Sequence, residues 1–235
     1  MTDRRCPPVP LLAVVLLPAA MGLVFFYAPV ERTMGVVQKV FYIHLPLAAA
    51  AFLSFFVAFV AGAVYLVRRE RRWDALGAAA VEVGVVLTTL VLVTGSLWGR
   101  PIWNTWWTWD PRLTTSLILW FIYAAYLILR TSVEDEGRRA VYCAVVAVAG
   151  FVDVPVVFLS ARVFRSIHPT VIRADSVGLE PPMVATLLAC MLGVFLFWAA
   201  LVRLRYGLQM GEAAVKALAV RVEGITGVSS EENAS

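Results

Sequence analysis

Charge is what this chain has least of. Only 15% of its 235 residues are charged, while 61% are hydrophobic, far from the balance of a water-facing domain. A soluble core of this length could not hide that much apolar side chain, so the bilayer is the natural solvent. Cysteine is nearly absent too: Cys6, Cys143 and Cys190 stand alone, the last two inside apolar runs, where they read as small buried hydrophobes. Without a C-x-x-C pair a thiol-exchange role has no support, and without C-x-x-C-H the chain has no attachment point for a covalently bound heme. A concentrated positive charge is missing as well. The net charge is +4, but the basic residues are scattered among loops, so there is no nucleic-acid-binding tract. Internal repeats and low-complexity segments are also absent.

What is present is a series of six apolar runs, near residues 9–29, 46–67, 75–97, 113–129, 140–160 and 181–202. Each approaches the ~20 residues a helix needs to cross a bilayer. The expected fold is therefore all-α, a polytopic bundle of six transmembrane helices with a tryptophan-rich periplasmic loop. The first run follows Arg4 and Arg5 as a secretory signal would, but it is long for one, lacks a convincing cleavage site and is followed by five more spans, so it is taken as a retained helix. Residues 1–205 form the membrane domain. Residues 206–235 form a tail, with a short amphipathic helix over 208–222 and a frayed, disordered end.

Lysine and arginine set the orientation. The N-terminus, the second and fourth loops and the tail carry thirteen of the 20 basic residues, among them Arg68, Arg69, Arg71, Arg72, Arg130, Arg138, Arg139, Arg203 and Arg205. The other loops carry seven: Arg32, Lys39, Arg100, Arg112, Arg162, Arg165 and Arg173. The excess puts both termini in the cytoplasm, and the first, third and fifth loops on the periplasmic face.

That outward face collects the chemistry. The only two histidines, His44 and His168, both fall there, and between them lies the third loop, residues 98–112, with five of the eight tryptophans. One or two interfacial tryptophans would be ordinary anchors; Trp98, Trp103, Trp106, Trp107 and Trp109 within one loop are harder to explain that way. If Pro101 opens a short helix, Trp103, Trp106 and Trp107 form one aromatic stripe. Two uses stay open for such a stripe, lying in the lipid interface or stacking on a large flat ring. Asp110 before Pro111 reads as a helix N-cap, which does not exclude a second role. Arg100 and Arg112 are surface charges by default and bidentate partners for a ligand carboxylate in the functional alternative.

A lone histidine near a membrane surface is usually just an interfacial polar group, but a pair on one face is less ordinary. Pro46 suits the first turn of the second span, which would put His44 just outside that helix, and Pro169 biases His168 toward extended geometry. Two neutral imidazoles can fill both axial positions of a heme iron, whereas zinc usually takes four ligands, which this face does not offer. An aromatic platform, two imidazoles and nearby arginines suit a flat, apolar, dianionic iron porphyrin, a non-covalently held heme b.

The segments 95–115, 39–46, 154–160 and 165–169 together resemble the heme exporter protein C (CcmC) family, heme-handling membrane proteins of cytochrome c maturation, from about the first span through the sixth. The resemblance implies that His44 and His168 are axial heme ligands beside the tryptophan platform. It further implies heme delivery to a periplasmic heme chaperone on which heme becomes covalently attached, without independent catalytic turnover. The implied partners are the subunits of an ATP-binding-cassette transporter and a small single-span membrane protein, in a bacterial inner membrane. Two departures from the family pattern stand out: Val163 and Phe164 stand where a tryptophan pair is usual, and Asn104 where glycine is expected. An alternative is the b-type heme subunit of a membrane redox enzyme, although such subunits commonly bury several histidine pairs within the spans. A midplane solute transporter would call for broken helices in paired positions or an internal repeat. Glu82 is expected to reach water or Arg72. Asp153, beside Val154-Pro155, is expected either to make a polar contact at a proline kink or to line the heme cleft and orient a ligand histidine.

Overall fold

The computed structural model describes residues 8–163 and 179–232, and these are helical apart from short turns. The helices are α1 (Pro8–Phe26), α2 (Phe41–Arg68), α3 (Arg71–Trp103), α4 (Pro111–Ser132), α5 (Glu136–Gly150), α6 (Asp153–Val163) and α7 (Pro181–Glu232). A single 3-10 turn, Val36–Val40, leads into α2. Six helical stretches are long and apolar enough to cross a membrane, with α5 and α6 together making the fifth. The chain is thus an all-helical, multi-pass membrane bundle.

Local chemistry explains most of the helix ends. Asp110 caps α4, its Oδ1 accepting the Arg112 backbone N–H at 2.9 Å, with Pro111 in the first position where its missing N–H is harmless. Asp135 caps α5 in the same way, accepting from the Arg138 N–H at 2.7 Å. The α2–α3 corner turns on Arg69, which takes the left-handed conformation at φ 57°. Between α1 and α2 the Glu31 carboxylate accepts the backbone N–H groups of Thr33 and Met34 at 2.8 and 2.5 Å, and Gly35 closes the turn at φ 64°, where a side chain would be strained.

Packing relies on small residues. Ala50, Ala51, Ser54, Ala58 and Ala61 on α2 lie buried against Ala78, Ala79, Ala80 and Gly84 on α3, so the two backbones approach closely along a long seam. In lipid, where tails are as apolar as leucine, such close approach drives helix association. The ring of Phe55 stacks on Tyr123 of α4 at 3.9 Å and 9°, tying α4 to the seam. Helix α7 packs against α1, α2 and α3.

Three expectations change. Helix α2 begins at Phe41, so His44 lies inside its first turn and Pro46 is the sixth residue, not the opening one. Helix α3 continues through Gly99 and Pro101 to Trp103, and residues 104–110 are non-helical, so Trp103, Trp106 and Trp107 do not share one helical stripe. Helix α7 extends from Pro181 to Glu232. Glu82 is paired not with Arg72, which bonds Glu70, but with Arg205 and with the Gln209 side chain at 2.9 Å, both from α7.

Candidate functional site

The N-terminus of α2, the C-terminus of α3 and the N-terminus of α4 meet at one end of the bundle, and the tryptophan-rich segment lies there. The arginines of the α2–α3 and α4–α5 corners, Arg68 to Arg72 and Arg130 to Arg139, sit at the opposite end. Among the described residues, the α2–α3 and α4–α5 corners therefore lie at the end of the bundle opposite the α3–α4 loop.

At the tryptophan end the central pair is His44 and Trp98. His44 is half-buried, and its ring meets the buried Trp98 indole edge-on at 5.8 Å and 60°. Phe41 flanks the same indole at 6.1 Å. The His44 Nδ1 lies 2.9 Å from Thr94 Oγ1. Gly95 gives the imidazole its place, since a Cβ there would stand 3.2 Å from His44 Cε1. Thr94 was not among the residues singled out from sequence. It precedes Trp98 by four residues, however, and on a helix that spacing puts both on one face.

The other tryptophans form separate contacts. Trp103 folds back on Gly99, whose added Cβ would come within 2.8 Å of the indole. Trp106 is exposed and receives the Arg100 guanidinium on its face at 5.8 Å. Trp107, partly buried, meets the exposed Trp109 edge to face at 6.0 Å and 83°. Arg100 Nη1 also donates to Asn104 Oδ1 at 2.5 Å; its partners among the described residues, an amide and an indole face, leave its charge unneutralised. Asn104 itself is left-handed at φ 53°, a conformation asparagine accepts better than most residues, which explains how it serves where glycine was expected. Asp110 is buried beneath this loop in its capping role. Arg112 begins α4 beside it.

His168, with Phe164, Arg165 and Pro169, lies outside the described residues. Asp153 is described. Adjacent Phe151 packs on Phe56 and Phe59, half-way along α2, whereas His44 is 12 residues earlier, roughly 18 Å at the α-helical rise. Asp153 therefore does not orient His44; Thr94 holds that ring. One oxygen of Asp153 is buried without a partner among the described residues. It lies where the fifth span breaks between α5 and α6, and Pro155 sits in the first turn of α6, where no N–H is needed.

These residues fit an iron porphyrin. The exposed faces of Trp106 and Trp109, with exposed Leu97 and Ile102, offer apolar and aromatic surface. The buried indole N–H groups of Trp98 and Trp107 find no acceptor among the described residues, and Arg100, at the same end of the bundle, offers a positive charge to an anionic group. Among the described residues no three His, Cys, Asp or Glu side chains converge as a bare metal ion would require.

The family model for heme exporter protein C matches residues 1–221. The chain belongs to the heme exporter protein C family. It is similar to heme exporter protein C of Haemophilus influenzae, at 30% identity over 82% of this chain and 81% of that one. It is also similar to heme exporter protein C of Escherichia coli, at 30% over 77% of this chain and 74% of the relative. The Rhodobacter capsulatus heme exporter protein C is 38% identical, but that match spans 54% of this chain and only 53% of the relative.

Proposed function

We propose that this chain binds heme at the tryptophan end of its bundle and hands it on during cytochrome c maturation. His44 and His168 are the axial ligands, the exposed tryptophans support the porphyrin, and Arg100 and Arg112 receive its propionates. The observation that carries this proposal is the placement of His44, half-buried against Trp98 at the tryptophan end of the bundle, which also bears exposed indoles and Arg100. Bound heme b supplies a flat anionic ring and an iron with two open axial positions; the chain supplies the ligands, the apolar support and the counter-charge. The basic-residue asymmetry supports an orientation with both termini cytoplasmic and the tryptophan end periplasmic. The recipient is a periplasmic heme chaperone, and the assembly includes an ATP-binding-cassette transporter and a small single-span protein. A reversible, surface-accessible site suits an assembly factor better than a redox subunit with histidines buried in mid-membrane.

The test is complementation of a strain lacking its own copy of the gene. His44→Ala should accumulate in the membrane at the normal level yet restore neither heme-loaded chaperone nor c-type cytochromes. Full restoration by His44→Ala would overturn the proposal.

A further inference from the structure

We infer that Thr94 is a positioning residue that fixes His44 in the tautomer an iron ligand needs, through a hydrogen bond in which the threonine accepts. This rests on the proposal that His44 binds heme iron.

The inference follows from counting protons. Thr94 Oγ1 lies 2.7 Å from the Leu90 carbonyl oxygen, one turn earlier on α3, and 2.9 Å from His44 Nδ1. A hydroxyl has one proton. A carbonyl can only accept, and two oxygens 2.7 Å apart repel unless a proton lies between them. The Thr94 proton is therefore committed to Leu90, the usual back-bond of a helical threonine. Toward His44 the hydroxyl can only accept, so Nδ1 carries the ring proton and Nε2 keeps its lone pair. That is the tautomer in which Nε2 can bind iron.

The same helix carries an internal standard. Thr89 Oγ1 donates to the Val85 carbonyl at 2.8 Å and accepts from Trp120 Nε1 at 2.8 Å. An indole N–H can only donate, so the direction of that bond is unambiguous. Five residues on, the arrangement at Thr94 has closely similar distances, 2.7 and 2.9 Å, with an imidazole in place of the indole. In both, a threonine turned toward its own helix presents a lone pair to a ring on a neighbouring helix.

The ring is held from other directions as well. Gly95 leaves room for Cε1, and the Trp98 indole bounds it at 5.8 Å. The choice of a hydroxyl has a chemical consequence. Partners of a metal-bound imidazole orient the ring and raise its basicity. A carboxylate would do so strongly and tighten the iron bond; a neutral hydroxyl fixes orientation with little added charge. That suits a ligand that must later release its cargo.

The full-length chain has only two histidines, so in the His168→Ala background His44 is the sole imidazole. Nitrogen NMR of the 15N-histidine-labelled, detergent-purified apoprotein in that background should show a neutral ring protonated at Nδ1. Adding Thr94→Val, which keeps the shape and removes the acceptor, should give a mixture of tautomers. With His168 present, Thr94→Val should weaken ferric heme binding by about tenfold and lose low-spin character, while Thr94→Ser should match the unmodified chain in both measurements. An unchanged tautomer and unchanged heme affinity in Thr94→Val would overturn the inference, as would equal losses in Thr94→Ser and Thr94→Val. If Thr94→Val leaves both unchanged while His44→Ala loses the low-spin spectrum, only the role of Thr94 fails. If His44→Ala keeps that spectrum, the heme-ligand assignment fails and the inference falls with it.

Discussion

At the scale of single residues, polar groups are rare in this chain, and several have an identifiable task. Arg130 and Asp74 form a bidentate pair at 2.8 and 2.9 Å between α4 and α3, with side chains only 13% exposed. Breaking such a pair from one side leaves an uncompensated buried charge. We therefore expect Asp74→Ala to cost about 3 kcal/mol, measured as a lowered thermal midpoint in detergent, and Asp74→Leu with Arg130→Met together to cost much less. Glu31 acts through its backbone acceptors. Chiefly the Met34 N–H, then that of Thr33, holds its carboxyl below the ordinary value of 4.5. A carboxyl with a lowered folded pKa stabilises its turn fully above the unfolded value and loses that contribution as pH falls through the folded one. Amide exchange at Thr33 and Met34, compared at each pH with Glu31→Gln, should therefore show extra protection at neutral pH that fades only below the usual carboxylate range. Protection equal to that of Glu31→Gln at neutral pH would contradict the role given to this carboxylate.

At the scale of helices, the α2–α3 seam is the element on which the candidate site is built, because it brings His44 against Thr94 and Trp98. Gly84 keeps the two helices close: a Cβ there would fall 2.7 Å from Phe55 Cε1 and 2.9 Å from Ser54 Cβ. Gly84→Leu should cost about 1–3 kcal/mol by overpacking and weaken heme binding in parallel, since the seam carries the histidine. Gly211→Ala on α7, where a Cβ meets nothing within 4 Å, should be neutral or stabilising by up to ~1 kcal/mol. Equal effects from the two substitutions would contradict the packing described. The existence and order of the six spans were legible from runs of apolar residues alone, because a bilayer demands uninterrupted hydrophobicity. Their ends were less so. Pro46 and Pro101 mimic helix boundaries in sequence, yet both sit within helices, and nothing in hydropathy marks the break before Asp153. At the site, the aromatic loop and His44 stood out by residue type, and the Asp110 cap by its following proline. Thr94 did not, because a threonine in an apolar run looks like any other; its role depends on which ring the neighbouring helix places beside it.

At the scale of the whole molecule, the ends of the bundle are chemically unlike. One carries the arginines of the α2–α3 and α4–α5 corners and the extension of α7, which Glu82 on α3 holds through Arg205 and Gln209. The other carries the exposed indoles, Arg100 and His44. Among the described residues, charged side chains are thus kept towards the ends of the bundle, except for Asp153 at the break in the fifth span. On the proposed reading, the tryptophan end, with its exposed indoles, would receive a large flat ligand and release it again. The most direct test is the absorption spectrum of the detergent-purified protein after addition of heme, beside His44→Ala and His168→Ala. The account predicts a Soret band with low-spin, six-coordinate features in the unmodified protein that changes in both variants. A spectrum indifferent to both substitutions, or no heme uptake by the unmodified protein, would contradict it and return the tryptophans to membrane anchoring.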